Sequence, residues 1–295
     1  MSGGPDSMAM LLLARDVLDD FEVATVDHGL RAEAARECRL VADLCAKLAV
    51  PCTVLEVRVD EGNLQQEARR ARYAALGEWA GSRDLAAVLT AHHADDQAET
   101  LLMRLNRGSG LAGLAGIRPK GRVEGCDVDI LRPLLGFRRA ELRAIVEQAG
   151  IEVADDPSNA DQAFERVRIR QALAQADWID TAGIAQSAAL LADAEEFLAA
   201  QLSESFDTLC GNDGERWWFY PGASRFENIE MLAVLFARMG ANPARSELDR
   251  LVDRLEDGKG ANLSGILVRP VTDPSDLGID VVRWNLEPEP PRRAG

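Results

Sequence analysis

The residues that indicate chemistry most directly form a loop at the start of the chain, Ser2-Gly3-Gly4-Pro5-Asp6-Ser7. Two adjacent glycines allow backbone N–H groups to curl into a concave cradle in which side chains would clash. Asp6 or Ser7 can cap a helix predicted over Met8–Leu18, whose N-terminus then points at the cradle. The loop is therefore predicted to hold phosphate, although it lacks the Gly-Lys-Ser/Thr of a Walker A loop. An ordinary Gly-Pro turn before a helix is the alternative.

The three histidines all follow predicted strands. His28 comes directly after the strand Phe21–Asp27, and His92 and His93 come directly after the strand Leu85–Ala91. Ligands of parallel α/β sheets bind at the carboxyl ends of the strands, which is also the edge where the phosphate loop is expected. A single histidine is usually structural, but the shared position of all three favours a functional site at this edge.

Acidic residues follow His93 at once, at Asp95, Asp96 and Glu99. Asp96 and Glu99 are three residues apart, so that on a helix they share one face. Two carboxylates close to a nucleotide can bind a metal ion or a cationic substrate. The alternative is that these are acids favoured at a helix N-terminus by the helix dipole.

Basic residues outnumber acidic ones between Arg104 and Arg143, and Arg166, Arg168 and Arg170 follow. The chain as a whole carries a formal net charge of −16, which argues against a general nucleic-acid binder. The locally basic stretches are candidates for a nucleic-acid-binding surface, and solvated helix faces are the alternative.

The elements that must position these residues alternate between strand and helix. Strands are predicted over Phe21–Asp27, Cys52–Val59 and Leu85–Ala91, and helices over Glu33–Ala49, Gln65–Gly81 and Asp95–Asn106. This alternation predicts right-handed crossovers and a parallel sheet, hence an α/β domain over residues 1–176.

A second, smaller and mainly helical domain is predicted over residues 177–295. Its predicted helices are Ile184–Phe206, Glu227–Met239 and Ser246–Asp257, and its short strands are Val268–Val271 and Ile279–Trp284. The tail from about residue 287 is rich in proline and charge and is expected to be loose.

Composition sets the broad class of the protein. Of the 295 residues, 47% are hydrophobic, which is typical of a globular protein. No apolar run reaches the roughly 18 residues of a membrane span, and no signal peptide is present, so we expect a cytoplasmic protein without a membrane partner. The five cysteines include no Cys-x-x-Cys pair, so neither zinc nor an iron–sulfur cluster is expected.

Five sequence blocks, in this order, resemble the tRNA(Ile)-lysidine synthetase family within the PP-loop ATP pyrophosphatases. The blocks are SGGPDS (2–7), VDHGLR (26–31), EARRARY (67–73), AHHADDQAETLLMRLNRGSGLAGLAG (91–116), and LRPLL followed by DDPSN and RVRIR up to Arg170. The resemblance covers nearly all of residues 2–170 and is weak beyond Asp177. It implies a Rossmann-like PP-loop domain, similar to the adenine nucleotide alpha hydrolases.

The resemblance also implies an activity. ATP adenylates the C2 carbonyl oxygen of the wobble cytidine in a tRNA(Ile) with a CAU anticodon, and pyrophosphate leaves. The ε-amino group of free L-lysine then displaces AMP to give lysidine. ATP with Mg²⁺ is therefore expected as cofactor, and this tRNA and free L-lysine are expected as partners.

Roles for individual residues follow from the same resemblance. ATP binding is expected at Ser2, Gly3, Gly4, Pro5, Asp6, Ser7, His28 and Arg107. Asp6 is also expected to bind Mg²⁺, and Asp96 and Glu99 to bind lysine. Asp6, His93, Asp96 and Glu99 form the expected catalytic set, and tRNA binding is expected at Arg166, Arg168 and Arg170.

The match with the family departs at the start of the chain. The family has an apolar strand leading into the SGGxDS loop, at the centre of the sheet, whereas only Met1 precedes the loop here. The resemblance therefore predicts a gap in the sheet. A start site assigned too far downstream and a genuine short form are the two explanations.

Two other functions stay open at this stage. One is another PP-loop tRNA-modifying enzyme, such as a thiolating enzyme, although these typically need paired cysteines. The other is a nucleotide-binding module without catalysis, which would bind ATP but release no pyrophosphate when tRNA and lysine are supplied.

Overall fold

The predicted alternation of strands and helices is present in the first part of the computed structural model. The structure describes residues 1–29, 32–57, 64–154, 161–274 and 280–289. Leu30 and Arg31 of the VDHGLR block, the DDPSN block and the end of the predicted loose tail therefore lie outside the described residues.

Two compact units make up the chain, Met1–Asp193 and Ala194–Gly295. Their division falls within a single long helix, α8 (Thr181–Leu209), so that no linker marks it. The domain boundary predicted between residues 176 and 177 lies just before this helix and stays a prediction.

The elements of the first unit match the sequence prediction closely up to residue 106. They are α1 (Pro5–Val17), β1 (Val23–Asp27), α2 (Ala32–Lys47), β2 (Cys52–Glu56), α3 (Leu64–Ser82), β3 (Ala87–Leu89) and α4 (Ala94–Asn106). The elements that the prediction did not contain are α5 (Leu111–Leu114), β4 (Lys120–Val123), β5 (Cys126–Leu131), α6 (Arg139–Gln148) and α7 (Glu165–Gln175).

The strands of this unit form two separate sheets. β1 pairs in parallel with β2, with Val23 opposite Cys52 and Asp27 opposite Glu56. β3 pairs in parallel with β5, and β4 continues that sheet in antiparallel orientation. Among the described residues no strand joins the two sheets. The parallel pairs confirm the predicted α/β class.

Alternate residues of β1 are buried on opposite faces, as a parallel strand covered by helices requires. Val23 packs into a cluster with Met8 and Leu11 of α1 and Val41 of α2. Its neighbour Ala24 belongs to a second cluster, whose other buried members are Tyr73, Leu76, Trp79, Ala80, Val88, Cys126 and Ile130. Helices on both faces of the strands therefore fix the edge at which the predicted site residues lie.

The second unit combines helices with a sheet that is larger than predicted. After α8 come β6 (Cys210–Asn212), β7 (Trp217–Phe219), α9 (Arg225–Arg238), α10 (Arg245–Glu256), β8 (Ala261–Leu263), β9 (Ile266–Pro274) and β10 (Asp280–Pro288). The strands form one antiparallel sheet in the order β6-β7-β10-β9-β8. The prediction of a mainly helical domain contained only parts of β9 and β10.

Helices α9 and α10 cover this sheet with a continuous apolar core. Leu232, Leu235 and Phe236 of α9 are fully buried, and Trp284 of β10 is 2% exposed. No helix in the described parts of the chain is long and apolar enough to cross a membrane.

Candidate active site

The phosphate loop is shaped by its first glycine and by the helix that follows it. Gly3 has a φ of +74°, and a Cβ added there would lie 3.3 Å from the Cβ of Ala154 and 3.4 Å from the carbonyl oxygen of Glu37. The Ala154 N–H donates to the Gly3 carbonyl oxygen at 2.9 Å, and the Thr25 hydroxyl donates to the Met1 carbonyl oxygen at 3.0 Å. Glycine is therefore required at position 3 both for its conformation and for the close approach of its neighbours.

Helix α1 begins earlier than the sequence analysis predicts. Its first residue is Pro5 and its cap is Gly4, so the prediction that Asp6 or Ser7 caps a helix starting at Met8 is wrong. The reason is that the fixed φ of proline suits the first helical position, where no N–H partner is needed. The unpaired N–H groups of this first turn give the loop the positive helix end that phosphate binding requires.

The loop and the twin-histidine segment meet at Asp6 and His93. His93 is 2% exposed, and its Nε2 lies 3.5 Å from Oδ2 of Asp6. His93 also caps α4: its backbone N–H donates to Asp96 Oδ2 at 3.0 Å, and its Nδ1 accepts from the Asp96 N–H at 3.4 Å. In this arrangement Nε2 carries the proton that faces Asp6, as assigned from the hydrogen bonds.

Opposing effects act on the pKa of His93. Burial by itself would lower it, but the hydrogen bond to Asp6 and the charges of Asp96, Asp6 and Asp95 outweigh burial and raise the pKa above its ordinary value. The acidic surroundings therefore favour a protonated imidazole at this point.

Asp6 retains one oxygen that the protein does not satisfy. Its Oδ1 is buried and has no hydrogen-bond partner among the described residues. A buried carboxylate oxygen without a partner is costly and is suited to a cation. Mg²⁺ uses one or two carboxylates together with phosphate oxygens, so Asp6 beside the loop fits it. No group of three or more His, Cys, Asp or Glu within the described ranges could hold a metal on its own.

Asp96 and Glu99 share a face of α4, as predicted, and both contact arginines of α7. Glu99 is 1% exposed and accepts hydrogen bonds from Nε of Arg166 and Nε of Arg170, each at 2.6 Å. Asp96 Oδ1 accepts from Nη2 of Arg166 at 2.9 Å. The predicted lysine-binding carboxylates and two of the predicted tRNA-binding arginines thus form one network.

The network determines the charge of Glu99. Burial would raise its pKa, but the hydrogen bonds from Arg170 and Arg166 and their charges outweigh burial and hold the pKa below its ordinary value. The carboxylate is therefore ionised throughout the physiological range, with both oxygens occupied by guanidinium groups.

Other predicted residues lie elsewhere. Arg107 stands at the C-terminal end of α4 and pairs with Glu165 of α7. At 1.5 Å per residue, the length of α4 separates it from His93 by about 20 Å. Arg168 donates to the carbonyl oxygens of Gln162 and Ala163 at the start of α7. His28 lies directly after β1. The structure therefore brings Asp6, His93, Asp96, Glu99, Arg166 and Arg170 together, and leaves Arg107 and Arg168 outside that group.

Asp95 has a structural contact that the spacing did not reveal. Its Oδ2 accepts a hydrogen bond at 2.8 Å from the backbone N–H of Arg139, the first residue of α6. The same oxygen accepts from Nε of Arg138 at 3.4 Å. Burial raises its pKa, but these contacts outweigh burial and lower it. Asp95 therefore links the start of α6 to the start of α4, which is the segment that follows His93.

A glycine-rich loop that opens a helix beside parallel strands defines a class of nucleotide-binding protein. Residues 1–177 match the family described as the PP-loop domain, with ATP binding as its named property. In fold alone, the chain is similar to the U34-tRNA thiolase NcsA from Methanococcus maripaludis, with a TM-score of 0.54 at 15% identity over 65% of this chain and 69% of that chain.

Relatives that match along most of their length show to which family within this class the chain belongs. The chain is 45% identical over 271 residues to a tRNA(Ile)-lysidine synthase of Novosphingobium aromaticivorans, covering 90% of this chain and 83% of that protein. It is 39% identical to that of Zymomonas mobilis, with the same coverage, and 37% identical to that of Methylobacterium nodulans, covering 100% of this chain and 91% of the relative. The chain belongs to the tRNA(Ile)-lysidine synthase family.

Proposed function

We propose that this protein joins L-lysine to C2 of the wobble cytidine of tRNA(Ile) with a CAU anticodon, at the expense of ATP. The observation that carries the proposal is that, in a chain of this family, Asp6 of the phosphate loop meets His93 and the acidic face of α4. A nucleotide and a cationic amino acid would therefore bind next to each other. The predicted cytoplasmic location belongs to the same proposal.

In the first step the C2 carbonyl oxygen of the cytidine attacks the α-phosphorus of ATP, and the bond to the bridging oxygen breaks. The loop N–H groups and the N-terminus of α1 would hold the phosphates, with Asp6 as the carboxylate for Mg²⁺. When bound, Mg²⁺ supplies positive charge that neutralises the leaving pyrophosphate.

In the second step the lysine ε-nitrogen attacks C2, the C2–O bond breaks, and AMP leaves. The ammonium must first lose a proton, which at pH 7 costs about 4–5 kcal/mol for a pKa near 10.4. Asp96 and Glu99 would bind the ammonium. A neighbouring carboxylate would accept that proton, or neutral His93 would do so once its Nδ1 is released from the Asp96 N–H.

Lysine must compete with arginine for this position. Arg166 already contacts both Asp96 and Glu99, so lysine binding requires its guanidinium to move or to share the carboxylates. A displaced Arg166 would be available to bind a phosphate of ATP or tRNA. Arg168 and Arg170 would bind phosphates of the tRNA backbone.

The test measures incorporation of radiolabelled lysine into a tRNA(Ile) transcript with a CAU anticodon. We expect incorporation that requires ATP, is accompanied by AMP, and is absent with a transcript of changed wobble base. If AMP and pyrophosphate are released without lysine entering the tRNA, the specific assignment fails.

A matched pair of variants tests the loop. Asp6→Asn removes the carboxylate beside His93 and should lower the rate at least about 100-fold, as the loss of a charged group in a transition-state contact does. Asp16→Asn on the same helix removes an exposed charge that pairs with Arg15 at 3.6 Å, and should leave the rate unchanged. Equal rates for the two variants would contradict the role of Asp6.

A further inference from the structure

The EARRARY segment on α3 has no role in the reaction described so far, yet it contributes to a group of cations. Arg69 and Arg72 lie over the ring of Tyr73, with guanidinium carbons 4.9 Å and 5.4 Å from its centre. Tyr73 is 1% exposed and belongs to the core that α3 shares with β5. These two arginines therefore lie against the edge of the core at Tyr73.

A third arginine, which comes after β5, interacts with the same Tyr73. Arg132 directly follows that strand and is only 9% exposed. Its Nη1 donates to the carbonyl oxygen of Arg118 at 2.8 Å, but its Nε is buried and has no partner among the described residues. Within the described ranges no carboxylate forms an ion pair with Arg69, Arg72 or Arg132.

His92 lies on the segment beside Arg132, because the Thr90 N–H donates to the Leu131 carbonyl oxygen at 2.9 Å where β3 and β5 end. Burial and the charges of Arg132, Arg166, Arg69 and Arg72, in that order, lower its pKa to about 3. The imidazole is therefore neutral, and its Nδ1 lies 3.0 Å from the Thr90 hydroxyl. With Nδ1 accepting from that hydroxyl, Nε2 is left as an N–H donor.

A buried guanidinium nitrogen without a partner, such as Nε of Arg132, is costly, and a bound anion removes that cost. Planar guanidinium forks match the oxygens of phosphate in two-point contacts. We propose that Arg69, Arg72, Arg132 and His92 form a second phosphate-binding site, distinct from the loop at residues 2–7. Arg69 is exposed, which leaves the site open to solvent.

The position of the cluster indicates where the phosphate comes from. His92 adjoins His93, which contacts Asp6, and Arg166 acts on His92 while pairing with Asp96 and Glu99. The site therefore borders the one at which, if the proposed function holds, ATP and tRNA meet. Its phosphate is either part of ATP or a phosphodiester of the tRNA.

The experiment compares neighbouring arginines of one helix. Arg69→Gln and Arg72→Gln remove charges that have no carboxylate partner in the described part of the chain, and Arg70→Gln removes an exposed charge that pairs with Glu67 at 2.9 Å. Two affinities are measured for each variant: that for ATP with Mg²⁺ by calorimetry, and that for the tRNA(Ile) transcript without ATP or lysine across a series of salt concentrations.

We expect both cluster variants to weaken one of these affinities at least about tenfold, as loss of a hydrogen bond to a charged group does. Arg70→Gln should stay within about twofold of the wild type. Weaker ATP binding assigns the phosphate to ATP. Weaker tRNA binding assigns the phosphate to the tRNA backbone. In that case the slope of log affinity against log salt concentration should also be smaller by about 0.7 to 0.9 per lost contact.

Affinities for both ligands that stay within about twofold of the wild type in Arg69→Gln and Arg72→Gln would overturn the site. Thermal unfolding of each variant shows whether it is folded, and Arg69, being exposed, is not needed for the core. Because binding is measured without lysidine formation, failure of the wild type to incorporate lysine would refute the proposed function while leaving this test intact.

Discussion

Replacing Glu99 with glutamine tests the network that joins α4 to α7. The side chain is 1% exposed and accepts three hydrogen bonds from Arg166 and Arg170, whose side chains are 38% and 24% exposed. Breaking a fully buried ion pair costs about 3–5 kcal/mol. Because water reaches part of both guanidinium groups, we expect a smaller cost for Glu99→Gln, about 2–3 kcal/mol.

The matched control is Glu165→Gln, which removes an exposed ion pair with Arg107 between the same two helical segments. Exposed pairs contribute at most about 1 kcal/mol. For a unit of this size about 2–4 °C of melting temperature corresponds to 1 kcal/mol, so Glu99→Gln should melt roughly 5–10 °C lower than the wild type and clearly below the control. Circular dichroism melts at pH 7 measure the difference.

The pH dependence of this difference has a defined sign. The pKa of Glu99 is lower in the folded protein than in the unfolded chain. Its contribution to the free energy of unfolding is therefore complete above about pH 4.3 and is lost as the pH falls through the folded pKa. Wild type and Glu99→Gln should therefore differ by the same amount between pH 6 and 8 and converge in acid. Equal melting temperatures for the two glutamine variants at pH 7 would refute the reasoning.

Three further predictions concern the loop and the residues that hold it. For His93→Gln, the loss of stability should be greatest below about pH 6.5 and should shrink as the pH rises through the raised folded pKa, which urea unfolding at several pH values measures. Gly3→Ala should destabilise the fold by at least about 1 kcal/mol and abolish ATP binding. Gly4→Ala, where φ is −72° and an added Cβ would lie 3.7 Å from the Ser2 hydroxyl, should still fold as measured by thermal melting. Asp95→Asn should cost about 1 kcal/mol in urea unfolding, because it weakens the acceptor at the start of α6.

The elements up to residue 106 could be predicted because strand and helix alternate with clear apolar patterns. The hairpin of β4 and β5 was missed, although Cys126, Val128 and Ile130 alternate with two aspartates, which is a signal of a half-buried strand. In the second unit β9 and β10 were only partly recognised. Their nine-residue register depends on pairing with each other, and local residue patterns do not report that pairing.

For the candidate site too, some features could be predicted from local sequence patterns and others could not. The spacing of Asp96 and Glu99 placed them on one face of a helix, and the position of His93 after a strand placed it at the correct edge. Both conclusions depend only on local geometry. The start of α1 differs from the predicted Met8, because Pro5 occupies the first helical position and Asp6 therefore lies inside the helix and does not cap it.

The sequence by itself determined the phosphate loop, the α/β class and the family, because these depend on residue types at short spacing. Only the tertiary structure decided which charges meet. Arg166 and Arg170 lie about 70 positions from the carboxylates they pair with, and Arg69, Arg72 and Arg132 come from two different elements. Ion pairing over such separations follows from the packing of helices on the sheet, and the spacing of residues along a chain carries no information about it.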